Sequence, residues 1–216
     1  MRMAIPFRMM CGSIVWIIFS GFAAPLSAQS PDFEIFLPVA AGDRHSAEFL
    51  RLTRIGEYGL VRVSREHIPA HLHTGIDIQR PRSNYTDEPV YPVATGKVIS
   101  VRTDGPYAQV IVEYTNHRQT FWTVYEHIAG VRAGLNDSVR PGTPIARFMN
   151  RDELRKYGWQ FDHVHFEVLK VPPAHFPPDA QHPLRWFRSY SLVCYTRADL
   201  QKYFVDPMDF FRGKGF

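Results

Sequence analysis

Between Val90 and His127 apolar and polar residues recur in short runs broken by turn residues, the pattern of antiparallel β structure. Lys97 to Arg102, Tyr107 to Tyr114 and Gln119 to His127 are predicted strands. Asp104-Gly105-Pro106 and Asn116-His117-Arg118 are the turns between them. Period-two alternation places Thr123, Tyr125 and His127 on one face of the third strand. Gly130 to Gly142 is expected to be loop, followed by an extended run from Thr143 to Phe148. Asp162 to Val168 reads as a further strand. Upstream, Phe33, Ile35 and Leu37 alternate with Glu34 and Phe36, suggesting an edge strand ended by Pro38. Leu60 to Val63 suggests another strand, and Ser64 to His71 a loop.

Helices are few and short. Asn150 caps a helix to Tyr157 that Gly158 stops. Thr196-Arg197-Ala198-Asp199 has the form of a capping box opening a helix to Phe204. Asp206-Pro207 starts a last helical turn with proline at its first position. Between them, Pro172-Pro173, Pro177-Pro178 and Pro183 make a stiff, non-helical stretch. Phe204, Met208, Phe210 and Phe211 are expected to complete the core. The resulting expectation is a mainly β chain, with antiparallel sheets packed around a groove and short peripheral helices.

The apolar run from Cys11 to Ala24 departs from this pattern. Arg2 and Arg8 precede it, and Leu26-Ser27-Ala28 ends in small residues. That order reads as a signal peptide cut after Ala28. The run is short for a membrane span and contains Gly12, Ser13 and Ser20, so no stable span is expected after cleavage. The protein is then periplasmic or secreted. The formal net charge is +4 over 216 residues, and Arg2 and Arg8 account for two of the positive charges. The remaining mildly basic balance suits an anionic cell wall and gives no argument for nucleic acid. Of the two cysteines, Cys11 lies in the leader, so Cys194 has no internal partner; it reads as a small buried hydrophobe.

The candidate chemistry lies in two motifs. His163 and His165 share one face of their predicted strand, about 6.5 Å apart along the backbone. A His-x-His pair alone is more often a polar face than a site. His73-Thr74-Gly75-Ile76-Asp77 adds a histidine and a carboxylate, both zinc-type ligands. A straight strand would hold His73 and Asp77 about 13 Å apart, so the chain must bend, and Gly75 tolerates a bend. Spacing alone leaves His163 and His165 interchangeable. No HExxH, G-x-S-x-G or phosphate-binding glycine loop is present.

These residues resemble the lysostaphin/LytM-type zinc peptidases, family M23. His73 to Asp77 resembles the family's H-x-G-x-D motif, and His163 to Val168 its H-L-H-F-E-V strand. Val124-Tyr125-Glu126-His127-Ile128 is similar to its Y-x-H-L segment, and Pro89 to Val98 to its P-V-x-A-x-x-G-x-V hairpin. The resemblance covers about residues 68–170, with an echo at Val205 to Met208. It divides the chain into a signal peptide (1–28), a lead-in packing on the core (29–67), the M23-like catalytic core (68–170) and a C-terminal extension (171–216). Two departures stand out. Arg147 to Phe161 replaces a loop of small residues, and the proline-rich stretch follows Lys170.

The resemblance implies one Zn²⁺ held by His73, Asp77 and His165, with His163 as general base. His127 would assist at the oxyanion, the water or the leaving amine. It implies a groove for peptidoglycan peptides and endopeptidase activity on stems or cross-links. The family often has a tyrosine shortly before the first ligand; the nearest here is Tyr58. His71 reads as flanking. His45, His117, His175 and His182 read as surface residues. Glu167 shares the face of His163 and His165, either orienting an imidazole or merely solvated. The alternative function is a non-catalytic regulator of a cell-wall amidase, against which the intact His and Asp set speaks. A zinc D-Ala-D-Ala carboxypeptidase is a third reading, but its His–Asp spacing is wider.

Overall fold

The computed structural model describes residues 34–116 and 119–214. The leader read at 1–28, Phe33, and His117 and Arg118 of the second turn lie outside them.

The fold is mainly β. β1 (Val61–Arg62) and β2 (His71–Leu72) form a small antiparallel pair. β3 (Ile76–Gln79), β4 (Pro89–Val90), β5 (Gly96–Arg102), β6 (Gln109–Thr115), β7 (Thr120–Glu126) and β8 (Ile128–Ala129) follow. Then come β9 (Ser138–Val139), β10 (Ala146–Phe148), helix α1 (Arg151–Tyr157) and β11 (His163–Leu169). The C-terminal part holds β12 (Ala174–His175), β13 (Phe187–Arg188), α2 (Arg197–Tyr203), β14 (Phe204–Val205) and α3 (Pro207–Phe211). A seven-stranded sheet runs β14-β11-β7-β6-β5-β9, with β3 pairing β11 beside β14. A second sheet runs β4-β10-β8. Among the described residues no helix is long and apolar enough to cross a membrane.

Alternation makes the large sheet two-faced. Val110, Val112, Phe121, Tyr125, Val164 and Phe166 join one buried cluster, shared with Val90, Ile128, Ala146 and Phe148 of the smaller sheet. Inside it the Tyr125 hydroxyl accepts the Val93 N–H (3.1 Å) and bonds the Tyr114 hydroxyl (2.9 Å). On the opposite face Ile111, Trp122, Val124 and Leu169 pack against Cys194, Leu200 and Phe204. The C-terminal segment therefore covers part of that face, and His163, His165 and Glu167 of β11 lie on the same face.

Helix ends follow the sequence reading. Asn150 caps α1 in a full capping box with Glu153, and Gly158 at φ 116° ends it. Thr196 and Asp199 form the box of α2, and Asp206 caps α3 ahead of Pro207. Four expectations change. Residues 35–37 form no strand: the Leu37 N–H donates to Arg44 O, and only Val39 bridges, to Val90. Within the predicted 130–142 loop, β9 adds an edge to β5; the proline-rich stretch is non-helical as expected, its β12 pairing with β13 beyond Pro183. The second long strand begins at Gln109 rather than Tyr107. His127 does not continue the face of Thr123 and Tyr125. Its φ is +60°, so the backbone turns there, and the ring lies beside His163 on the opposite face.

Candidate metal centre

The centre is built on strands β3 and β11 and on the bend that leads into β3. β3 and β11 pair antiparallel with Asp77 opposite His165 and Gln79 opposite His163. His73 precedes β3, and the chain bends at Gly75. A Cβ on Gly75 would collide with the Phe166 backbone, so glycine is needed there for close approach to β11.

His73 Nε2, Asp77 Oδ1 and His165 Nδ1 converge, each 3.0 Å from the other two. Tetrahedral zinc with bonds of about 2.0–2.1 Å wants its ligands about 3.3 Å apart. The triangle is slightly tighter and of the right kind: two imidazole nitrogens and one carboxylate oxygen, which could hold a metal ion. The three residues are buried.

Outer contacts set the tautomers. His73 Nδ1 faces the Glu57 carbonyl at 2.8 Å, which can only accept, so the proton sits on Nδ1 and Nε2 presents a lone pair. His165 Nε2 donates to Glu167 Oε1 at 3.0 Å, turning Nδ1 toward the other two donors. Glu167 also accepts from Thr74 Oγ1. It is buried, so of the two readings offered for it the solvated one is excluded and the orienting one matches the contact.

The electrostatics favour a cation. Burial pushes His165 down, but its hydrogen bonds to Asp77 and Glu167 more than offset this and raise it to about 10. Burial pushes Asp77 up, yet its close contacts with the imidazoles of His165 and His73 hold it far below the usual carboxylate range. Burial lowers His73, His127 and His163, the last to about 3. His163 and His127 are therefore neutral near pH 7. Their rings are 4.9 Å apart, and His163 Nε2 is 3.5 Å from Asp77 Oδ1. His127 Nδ1 donates to Pro106 O at 2.6 Å, leaving Nε2 unprotonated. Tyr107 and Phe161 pack on the His127 ring. Phe161 comes from the bulky Arg147–Phe161 stretch, which thus forms a wall beside this histidine.

Residues 71–177 match the family described as Peptidase family M23. The chain carries a peptidase family M23 domain. No curated protein matches it. Over 62% of its length the chain is similar to a zinc-containing peptidase from Vibrio cholerae, at 25% identity and a TM-score of 0.39, spanning 36% of that protein. It is similar to the catalytic domain of the prophage-encoded M23 protein EnpA from Enterococcus faecalis at 22% identity (65% of this chain, 88% of that one, TM-score 0.40). To lysostaphin, the antimicrobial peptidase from Staphylococcus simulans, it is 17% identical (79% of this chain, 53% of that one, TM-score 0.47).

The M23 segment contains His73, Asp77, His127, His163 and His165, and the structure brings all five together. His71 stays outside, its Nδ1 on Pro69 O. Tyr58 packs against both apolar clusters. His45 pairs with Glu34 at the surface, and His175 packs beside Trp186 and Phe187. His182 is not a free surface group: its side chain is half-buried between Asp104 and Asp179. Sequence reasoning missed Arg62, whose Nη2 donates to Asp77 Oδ2 at 2.5 Å, and the Glu57 carbonyl. Arg62 sits in a plain strand pattern before the M23 segment, and a backbone carbonyl leaves no mark in sequence.

Proposed function

We propose that this protein is an exported zinc endopeptidase that hydrolyses peptide bonds in the stems or cross-links of bacterial peptidoglycan. The observation that carries the reading is the triangle of His73 Nε2, Asp77 Oδ1 and His165 Nδ1 with two neutral imidazoles beside it. In this reading those three residues hold one Zn²⁺. The ion, when bound, supplies Lewis acidity toward a carbonyl oxygen and lowers the pKa of water. His163, kept neutral by burial, takes a proton from the attacking water as that water's oxygen bonds to the scissile carbonyl carbon. Its partner His127, whose Nε2 carries a lone pair, accepts a hydrogen bond from the attacking water or relays the proton that His163 has taken, and that proton is delivered to the departing amine. The C–N bond then breaks, and the products are a carboxylate and a free amine. Glu167 and the Glu57 carbonyl hold His165 and His73 in orientation.

Purified peptidoglycan incubated with the protein, with and without chelator, should release fragments cut at peptide bonds only in the metal-loaded sample. Mass analysis of the fragments identifies the bond. Metal-loaded protein that leaves cross-linked and linear stems intact yet stimulates an amidase would make it a regulator instead. Variants separate the roles. His165→Ala should lose both zinc and hydrolysis. His163→Ala and His127→Ala should keep zinc, and His163→Ala should lose roughly 10²- to 10⁴-fold in rate, the usual scale of general acid–base catalysis. Zinc lost from His163→Ala and retained in His165→Ala would reverse the two assignments. Export is tested by intact mass: protein recovered outside the cytoplasm should begin after Ala28.

A further inference from the structure

Residues 51–62 lie ahead of the M23 segment, yet they are built around two of its side chains. The backbone groups of His73 and Asp77 turn to this strap. The His73 N–H donates to Leu60 O (2.8 Å) and His73 O accepts from the Gly59 N–H (2.8 Å). The Asp77 N–H donates to Gly56 O (2.9 Å) and Asp77 O accepts from the Thr53 N–H (3.0 Å). Contact at Gly56 is so close that a Cβ there would come within 2.7 Å of Asp77 O. Side-chain contacts repeat the theme. Glu57 O accepts from His73 Nδ1, and Arg62 Nη2 donates to Asp77 Oδ2 while Nη1 donates to Ile55 O at 2.8 Å. The Arg62 side chain is 14% exposed and that of Asp77 is 6% exposed.

We propose that Arg62 is a positioning residue that makes Asp77 a one-oxygen metal ligand, an inference that rests on the zinc reading above. A carboxylate can offer a cation one oxygen or two. Arg62 occupies Oδ2, leaving Oδ1, the oxygen that stands 3.0 Å from both His73 Nε2 and His165 Nδ1. The planar guanidinium is suited to this because it reaches the carboxylate and the Ile55 carbonyl at once with fixed geometry. A lysine ammonium supplies the charge without the fork. Arg62 does not touch the reacting atoms. Its effect passes through Asp77, keeping the coordination open for water and substrate.

The test compares Arg62→Ala, Arg62→Lys and His165→Ala in the full chain. Zinc affinity is read by competition with a chelator, and geometry by the visible absorption of the cobalt(II)-substituted protein. Arg62→Ala should keep one ion and bind it about 10- to 100-fold more weakly, the usual cost of losing an outer-shell partner. Its cobalt spectrum should move from four-coordinate toward five-coordinate as Asp77 closes its second oxygen on the metal. Arg62→Lys should recover only part of the affinity. If Arg62→Ala does not fold, Arg62→Lys decides the matter by the same two readouts. Either folded Arg62 variant matching the wild type in affinity and spectrum overturns the proposal. His165→Ala is the control for the zinc reading: metal retained there sinks that reading, whatever Arg62 does.

Discussion

At the residue scale, the site depends on exceptions to local pattern. His127 follows a strand whose alternation would bury it with Tyr125, and a φ of +60° turns it to the face of His163 and His165 instead. Glu167 obeys alternation, and a buried carboxylate on that face has a partner in His165. Cys194 is the contrary case, a reactive residue type with nothing reactive about its setting. It is buried among Leu72, Ile111 and Leu200, with Sγ donating to Tyr190 O at 3.5 Å. Burial, then the charges of Glu167 and Asp199, push its thiol up to about 12. The folded protein should therefore resist alkylation at pH 8 and react fully in denaturant. Labelling of the native protein at the rate of a free thiol would show that the side chain is accessible. Cys194→Ser should leave the zinc-to-protein ratio unchanged.

At the element scale, α1 shows how a seven-residue helix is held in place. A helix so short has little stability of its own, so its ends must be tied down. Asn150 accepts from the N–H groups of Asp152 and Glu153, and Glu153 accepts from the Asn150 N–H. Arg147 clamps the same carboxylate with both Nη atoms, and Leu154 buries the inner face. Asn150→Ala should cost about 1 kcal/mol in urea unfolding, the typical worth of such a cap. The box is also sensitive to acid. Partial burial pushes Glu153 up, but the hydrogen bond from Arg147 and that from the Asn150 N–H pull it below its ordinary value. A carboxylate lowered on folding stabilises the fold above its unfolded pKa and loses that contribution as pH falls through the folded value. The stability gap between wild type and Glu153→Gln should thus be open at pH 7 and narrow as pH falls below the ordinary glutamate range. An equal gap at pH 7 and pH 3, read by thermal melts, would contradict the assignment.

At the scale of the whole molecule, the C-terminal extension closes what the sheets leave open. Phe210 packs edge-on to Phe121, and Phe211 stacks on Phe166, the strand neighbour of His165. On the other face Cys194, Leu200 and Phe204 cover Ile111, Trp122 and Val124. Residues 171–214 therefore share both cores with the M23 segment. We expect the two to unfold together. Far-ultraviolet circular dichroism and tryptophan fluorescence should give coincident urea transitions, and Phe210→Ala should lower stability by about 3 kcal/mol. Separated transitions, with Phe210→Ala affecting only one, would make the extension a separate unit.

Much of this architecture was legible in the sequence because its signals are local. Alternation marked the long strands, an Asn cap and a Gly stop marked α1, a capping box marked α2, and Gly75 marked the bend that brings His73 back to Asp77. His73, Asp77, His163 and His165 stood out by type and spacing, whereas His127 and the separate roles of all five came from the resemblance to family M23. What local signals do not carry is partnership across the chain. Which nitrogen of His73 and His165 faces Asp77 follows from a carbonyl at Glu57 and a carboxylate at Glu167. That His127 reaches His163 follows from the sign of one dihedral. That Arg62 clasps Asp77, and that β13 lies over Ser100, follows from long-range packing, in which a residue's neighbours are set by register and chain reversal rather than by its own pattern. The residue types for the chemistry were written in the sequence, and their orientation was decided by the tertiary structure, because a hydrogen-bond partner is chosen in space.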